Sequence, residues 1–352
     1  MSRIGIGVIG AGSISAMHLQ SYAANPDVEL VAIYDLNLAR AQHQAAKFGV
    51  ANAYAILEEL LADSAVHAVS ICTWNNSHAE LAIAALEAGK NVLVEKPLSK
   101  TVAEAEMLAA AVSRTGKLLQ VGFVRRFSSN AKLLRQFIDA GDLGEIYYAK
   151  ASNIRRIGNP GGWFADGERA GGGPLIDIGV HVLDLCWFMM GSPKPVTVSG
   201  NTYHRLGNRA NITNLERYKV SDYDPDKNDV EDLANALIRF ENGASLYLET
   251  SYSLHALEDE LLVGVYGEKG GAELEPSLRF TLESHDTVIN VVPQVDLLTF
   301  NFDEGFQNEI NHFVSLCRGE AEEIAPVSHG VEIMRMLSAI YESAALGREV
   351  AL

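Results

Sequence analysis

Cysteine is scarce in this chain. Of 352 residues three are cysteine, Cys72, Cys186 and Cys317, widely spaced and with no C-x-x-C pair. No disulfide framework fits that pattern and no zinc site is indicated, so the thiols are expected reduced and mostly buried, with no metal ligands. Basic residues are also few, 28 Lys and Arg against 45 Asp and Glu, for a net charge of −17. A field of that sign opposes non-specific binding to nucleic acid or anionic membranes, and neither is expected as a partner. No uninterrupted apolar run approaches the roughly 20 residues that cross a bilayer. MSRIGIGVIG reads as a strand from its third residue, without the n-region and h-region of a signal peptide, so the expectation is a cytoplasmic protein. Internal repeats and low-complexity tracts are missing too. What remains, 48% hydrophobic and 21% charged, is an ordinary globular composition at a length that suggests two domains.

The first third alternates two patterns. Short apolar runs (IGIGVIG, VELVAIYD, VHAVSICT, NVLVEK, KLLQVGFV) read as buried parallel strands, and helices are expected between them over 13–24, 38–48, 56–62, 77–87 and 102–114. Gly89 and Gly116 suit C-terminal caps, and Thr101 with Glu104 matches a capping box. This rhythm predicts an α/β doubly wound parallel sheet over 1–122. From 123 to 352 the pattern changes. Helices are expected at 130–140 and 174–190, and strand-like runs follow one another: EIYYAKASN, VTVSGNTYH, DLANALIRF, ASLYLETSYS, LLVGVYGE, LRFTLE and TVINVVP. Consecutive strands without helices between them imply a mostly antiparallel sheet in an α+β domain. Two helices, near 306–317 and 329–346, close the chain, the last expected to pack back on the first domain. The stretch 205–232 reads as a long polar loop rich in Asn and Asp.

The first strand runs into GAGSIS. Gly10 permits a tight turn, Gly12 lets backbone approach a pyrophosphate, and Ser13 and Ile14 open a helix whose N–H groups and dipole favour an anion. Ser15 stands where the dinucleotide fingerprint has its third glycine. Asp35, 25 residues past Gly10, closes the second apolar run, where a carboxylate accepts from ribose hydroxyls and repels a 2′-phosphate. NAD is therefore expected, with NADP kept possible by Arg40. Thr73 ends VHAVSICT, Asn75 and His78 follow it, and Glu95 and Lys96 end NVLVEK. Carboxyl ends of strands line the ligand crevice of an open α/β sheet, so these residues, with Gln120, are expected at the cofactor. Pro97 restricts Lys96 to extended conformations.

In AGGGPLIDIGVHVLDL, Asp177 and His181 lie four apart on one helix face, with Asp184 three further along. A carboxylate beside an imidazole fixes its tautomer and favours the imidazolium, a sensible acceptor for a hydroxyl proton. For an isolated D-x-x-x-H, an ordinary helix pair or a satisfied core histidine is the better reading. The preceding glycines weigh against that, because they suit close approach of backbone to a ligand.

Taken in order, GAGSIS, EKP and GGGPLIDIGVHVLD resemble the Gfo/Idh/MocA family, and VGFVRRF and AIYESAALGREV extend the resemblance over essentially the whole chain. The resemblance implies a Rossmann domain and a C-terminal domain whose large open-faced sheet drives assembly into a homodimer or homotetramer. It implies an NAD(P)-dependent oxidoreductase oxidising a secondary hydroxyl of a sugar or inositol, with Lys96, Asp177 and His181 as the catalytic set. Two readings of the same fold compete: an NAD-dependent glycoside hydrolase and a non-catalytic, sugar-responsive regulator. Tyr223 and Lys227 formally make the Y-x-x-x-K of short-chain dehydrogenases, but Pro225 between them opposes the helix that pair needs. Arg125 and Trp163 are candidate substrate contacts. Arg126, Arg155, Arg156 and Arg169 could meet an anionic group or serve ion pairs, and His18 is expected to be structural.

Overall fold

In a computed structural model of the chain, residues 3–209, 211–214, 224 and 226–352 are described. Tyr223 and Pro225, and with them the Y-x-x-x-K match, lie outside these residues, as does part of the 205–232 loop. The chain divides into two compact units, Met1–Phe127 with Phe302–Val331, and Ser128–Asn301 with Glu332–Leu352.

The first unit is built on six parallel strands: β1 (Ile4–Ile9), β2 (Val28–Tyr34), β3 (Asn52–Tyr54), β4 (Ala68–Ile71), β5 (Asn91–Glu95) and β6 (Leu119–Gly122). Their order, β3-β2-β1-β4-β5-β6, reverses direction between β1 and β4, and in such a sheet ligands bind beyond the carboxyl ends at that switch point. Helices Ser13–Ala24, Leu38–Phe48, Leu57–Ala62, His78–Glu87 and Val102–Thr115 connect the strands. Thr101 and Glu104 close a reciprocal capping box, and Gly116 ends the last of these helices in the left-handed region. The apolar strand residues Ile6, Val8, Ile33 and Leu93 are sealed on one side by Leu19 and by Ile310, Phe313 and Val314 of helix Phe302–Cys317. That late helix is therefore part of the first unit, although the expected boundary assigned it to the second.

The second unit holds a mixed nine-stranded sheet: β7 (Ile146–Ile154), β8 (Pro195–Tyr203), β9 (Leu233–Phe240), β10 (Ser245–Ser251), β11 (Glu260–Gly267), β12 (Gly270–Glu275), β13 (Arg279–Ser284), β14 (Thr287–Val291) and β15 (Val350–Ala351), in the order β14-β13-β12-β11-β7-β10-β9-β8-β15. Among the described pairings of this sheet only β7–β10 is parallel. β9 and β10 alternate buried with half-exposed residues, the signature of a sheet covered on one face. The expected helix over 174–190 is not uniform: Leu175–Gly179 is a π-helical turn, and α-helix follows from Val180 to Met189. By length and composition the stretch Gly167–Met189 is apolar enough to cross a membrane, but 83% of its most apolar window is buried within the fold. Glu168, Arg169, Asp177 and Asp184 interrupt it, so it contains no unbroken apolar run of that length.

Candidate active site

At the switch point of the first unit, Gly10 has φ +94°, and a Cβ there would stand 2.8 Å from the Cys72 carbonyl oxygen, so the turn has room for glycine alone. Gly12 is different: a Cβ would meet nothing within 4 Å. It is the N-cap of helix Ser13–Ala24, which has no side-chain cap and no acidic residue in its first turn. An open, side-chain-free helix N-terminus fits a pyrophosphate. Ser15 takes the place of the third glycine by turning its hydroxyl back onto the Gly12 carbonyl at 2.6 Å, fully buried. Ile14 packs against the unit's core.

Asp35 caps the end of β2 and is 9% exposed. Its Oδ2 accepts from the Ala11 N–H and its Oδ1 from the Asn37 N–H, both at 2.8 Å, and the exposed Arg40 guanidinium lies 4.0 Å away. The carboxylate thus braces the glycine turn. Leu36 beside it is 85% exposed, and Trp74, after β4, is 43% exposed. Both stand at carboxyl ends of strands flanking β1, where apolar surface suits a base ring, and neither was singled out from the sequence.

Thr73 accepts from the Ser77 hydroxyl at 2.8 Å, and Asn75 is buried in the turn beside it. His78 is 1% exposed, its ring nitrogens 2.8 Å from the Pro97 carbonyl and 3.2 Å from that of Thr73. Burial holds its pKa below the ordinary imidazole value. It ties the β4 turn to the β5 turn from within. Gln120 is likewise held inside the fold. It is 1% exposed, with its amide directed at the Glu309 carbonyl (3.4 Å) and His312 (2.8 Å).

Glu95 is buried at the end of β5. Its Oε1 lies 2.8 Å from His18 Nε2, and its Oε2 accepts from the Lys96 N–H at 3.2 Å. His18, fully buried, also meets the Ser70 hydroxyl at 3.2 Å, and Ser70 meets Tyr22 at 2.7 Å. This buried polar chain holds the backbone from which the half-buried Lys96 side chain departs. The Lys96–Pro97 peptide is cis. Arg125 is half-buried in the turn Val124–Phe127, whereas Arg126 is buried, donating to the Ile324 carbonyl at 2.7 Å and contacting His329 at 2.8 Å.

In the second unit Asp177 sits in the π turn and His181 in the first turn of the following α-helix, both half-buried, with Asp184 buried behind them. The Tyr252 hydroxyl donates to Asp177 Oδ2 at 2.8 Å. Burial, and next the Asp177 charge, push the Tyr252 pKa well above the phenol range, so it remains a donor. Thr250, near the end of β10 and two residues before Tyr252, donates to the Pro174 carbonyl at 3.3 Å. The strand ASLYLETSYS shows no pattern that marks Tyr252 as this partner. Trp163 stacks on Phe164 with ring centroids 3.9 Å apart. Arg169 pairs with Asp166 at 3.3 Å, and Arg155 donates to the Gly158 carbonyl.

The glycines before Asp177 were expected to admit a ligand. Instead they admit the protein's own groups: a Cβ at Gly172 would overlap the Tyr341 hydroxyl, and one at Gly173 would come 2.5 Å from the Glu231 carbonyl oxygen.

Residues 4–123 match the family described as oxidoreductase family, NAD-binding Rossmann fold, and residues 131–273 match the Gfo/Idh/MocA C-terminal domain. The chain belongs to the Gfo/Idh/MocA family. It is an NAD(P)-dependent oxidoreductase, and NAD fits the glycine turn and Asp35 described above. Within the family it is 33% identical to D-glucoside 3-dehydrogenase of Escherichia coli K12 over 100% of this chain and 98% of the relative. It is 30% identical to myo-inositol 2-dehydrogenase of Thermotoga maritima over 75% of this chain and 73% of the relative. Among solved Gfo/Idh/MocA-like structures, levoglucosan dehydrogenase in complex with NADH superposes with a TM-score of 0.85 at 25% identity, covering 99% of each chain.

Proposed function

We propose that this protein oxidises a ring secondary hydroxyl of a neutral pyranose, glycoside or inositol, with NAD as oxidant. The observation that carries the reading is the Asp177 carboxylate, fixed by the Tyr252 hydroxyl one helical turn before His181. The names of the related D-glucoside and inositol dehydrogenases support the substrate class. NAD, when bound, supplies the hydride acceptor. His181 takes the proton of the reacting hydroxyl, and Asp177 holds the imidazole in one tautomer and favours its charged form. Lys96 places an ammonium where negative charge develops on the substrate oxygen. With the backbone N–H of Lys96 bonded to Glu95, and Glu95 bonded to His18, the point of departure of that side chain is fixed before substrate arrives.

Neutral sugars and cyclitols rank first, sugar acids second and nucleotide sugars third, since the net charge of −17 gives an anionic substrate no long-range assistance. A panel of inositols, hexoses, alkyl glucosides and sugar acids, followed by NADH absorbance at 340 nm, tests this. Net NAD reduction by a neutral member is expected. Activity confined to the acids overturns the ranking, glycoside cleavage without net reduction means a hydrolase, and silence with NAD bound means a regulator. The same reading includes a homo-oligomer, dimer or tetramer. Its support is the outer face of the second unit's sheet, where Tyr148 stacks on Tyr266 and Leu237 and Tyr247 are half-exposed. Light scattering that returns one chain mass at micromolar concentration rules this out.

A further inference from the structure

We propose that Glu231, held by Tyr341, is a positioning residue for the Asp177 turn, acting through the backbone of the glycine run. This rests on the reading of Asp177 and His181 as the proton-handling pair. Glu231 is 2% exposed, and it spends both oxygens on one short segment. Oε2 accepts from the Gly173 N–H at 2.9 Å, and Oε1 accepts from the Leu175 N–H at 3.0 Å and the Tyr341 hydroxyl at 2.9 Å. Gly173 in turn accepts the Asp177 N–H on its carbonyl at 3.0 Å. From Glu231 to the Asp177 backbone is therefore a single residue, Gly173, with a hydrogen bond on its N–H and another on its carbonyl.

The arrangement answers a specific need. A helical run leaves its first N–H groups without partners inside the run. Pro174 has no N–H, so Gly173 and Leu175 present the donors at this end, and a carboxylate satisfies both while lying favourably at the positive end of the helix. Burial raises the Glu231 pKa, and the Gly173 and Leu175 bonds act against it. From the sheet side, Thr250 holds the Pro174 carbonyl and Asn153 reaches the Ile178 carbonyl at 3.5 Å. The π turn is thus fixed from two directions, by its amides through Glu231 and by its carbonyls through the sheet. The extra residue that a π turn inserts would otherwise be free to relax into regular α-helix, rotating Asp177 away from Tyr252. Gly172 and Gly173 are glycines because Tyr341 and Glu231 occupy the space a Cβ would need.

Two variants test the proposal. Tyr341→Phe removes one hydroxyl donor and keeps the ring, while Glu231→Gln keeps the shape but turns an amide toward backbone N–H groups. Hydrogen–deuterium exchange of the peptide spanning 173–181 needs no substrate and should rise in both variants, more in Glu231→Gln. With a sugar or inositol that the wild-type protein oxidises, kcat should fall by about tenfold to a hundredfold in Glu231→Gln and less in Tyr341→Phe. KM for NAD should stay within about twofold, and the primary deuterium isotope effect on kcat should increase, because misplacement slows the chemical step itself. Unchanged exchange over 173–181 overturns the proposal. So does a lowered melting temperature with kcat and isotope effect untouched, which is the outcome of a purely structural role. If Glu231→Gln does not fold, Tyr341→Phe carries both measurements. A wild-type protein that oxidises no member of the panel counts against the substrate reading, and the exchange result then decides the Glu231 contact alone.

Discussion

Replacing Asp35 with asparagine should do two separable things, because the carboxylate has two jobs. It braces the glycine turn by accepting the Ala11 and Asn37 N–H groups, and under the proposed function it repels a 2′-phosphate and offers charge-assisted acceptors to ribose hydroxyls. Two unit charges 4 Å apart repel by about 1 kcal/mol in water and about 4 kcal/mol at an effective dielectric of 20. At a crevice edge an intermediate value of about 2 kcal/mol is reasonable, and a hydrogen bond to a charged group adds about 1.5 kcal/mol. The wild-type preference for NAD over NADP in kcat/KM should therefore be on the order of a hundredfold or more. Arg40, 4.0 Å from Asp35 but 53% exposed, reduces this only modestly. The asparagine variant loses the charge and should fall to within about tenfold of parity. Asp35 also accepts the Ala11 and Asn37 amides. An asparagine retains one carbonyl acceptor, so one of these bonds is lost, costing about 1–2 kcal/mol and a few degrees of melting temperature. Steady-state kinetics with both cofactors and a thermal melt measure the two effects independently. A wild-type kcat/KM with NADP equal to that with NAD refutes the electrostatic half. An unchanged melting temperature refutes the bracing half.

Lys96→Ala should lower kcat by roughly a hundredfold to a thousandfold, or further if a proton relay is lost too, with NAD affinity retained in a binding titration. His181→Ala should lower kcat similarly and abolish the rising limb of its pH profile; a surviving limb assigns the base elsewhere. Tyr252→Phe leaves Asp177 without its 2.8 Å donor and should reduce kcat by about tenfold while NAD binding, read by fluorescence, is unchanged. His329, whose pKa is lowered to about 4 by burial and by Arg126, stays neutral in the fold while the unfolded chain takes up a proton below its ordinary value. Stability should thus be lost as pH falls from about 6.5 toward 4, by up to about 2 kcal/mol after solvent screening, and His329→Gln should flatten that part of a chemical-denaturation pH series.

Much of the first unit was legible because its strands are buried on both faces and therefore read as unbroken apolar runs. β3, three half-buried residues with the sequence NAY, carries no such signal. In the second unit β12 begins with two glycines, which lower strand propensity, and β15 has two residues; both exist because a neighbouring strand supplies the pairing. Of the site, the residues contiguous in a motif could be read directly. Their partners could not: Glu95 meets His18 across 77 residues, Asp177 meets Tyr252 across 75, and Gly173 meets Glu231 across 58. Local patterning does not register a pairing of that span. The glycine run was misjudged for the same reason, since the groups filling the space beside it come from Glu231 and from Tyr341 near the chain's end.

The helix Phe302–Cys317 has a consequence for how the chain is made. It supplies Ile310, Phe313 and Val314 to the core that begins with Ile6 and Val8. A ribosome that has finished the six strands of the first unit must still synthesise the whole of Ser128–Asn301 before those three side chains emerge. At about 5–20 residues per second that is a wait of roughly ten to thirty-five seconds. Throughout it, the nascent nucleotide-binding sheet carries an uncovered apolar surface, a natural place for a chaperone to hold. A fragment ending at Phe127 keeps that surface permanently, so it should collect in inclusion bodies, and co-expression of a 302–331 peptide should return part of it to the soluble fraction.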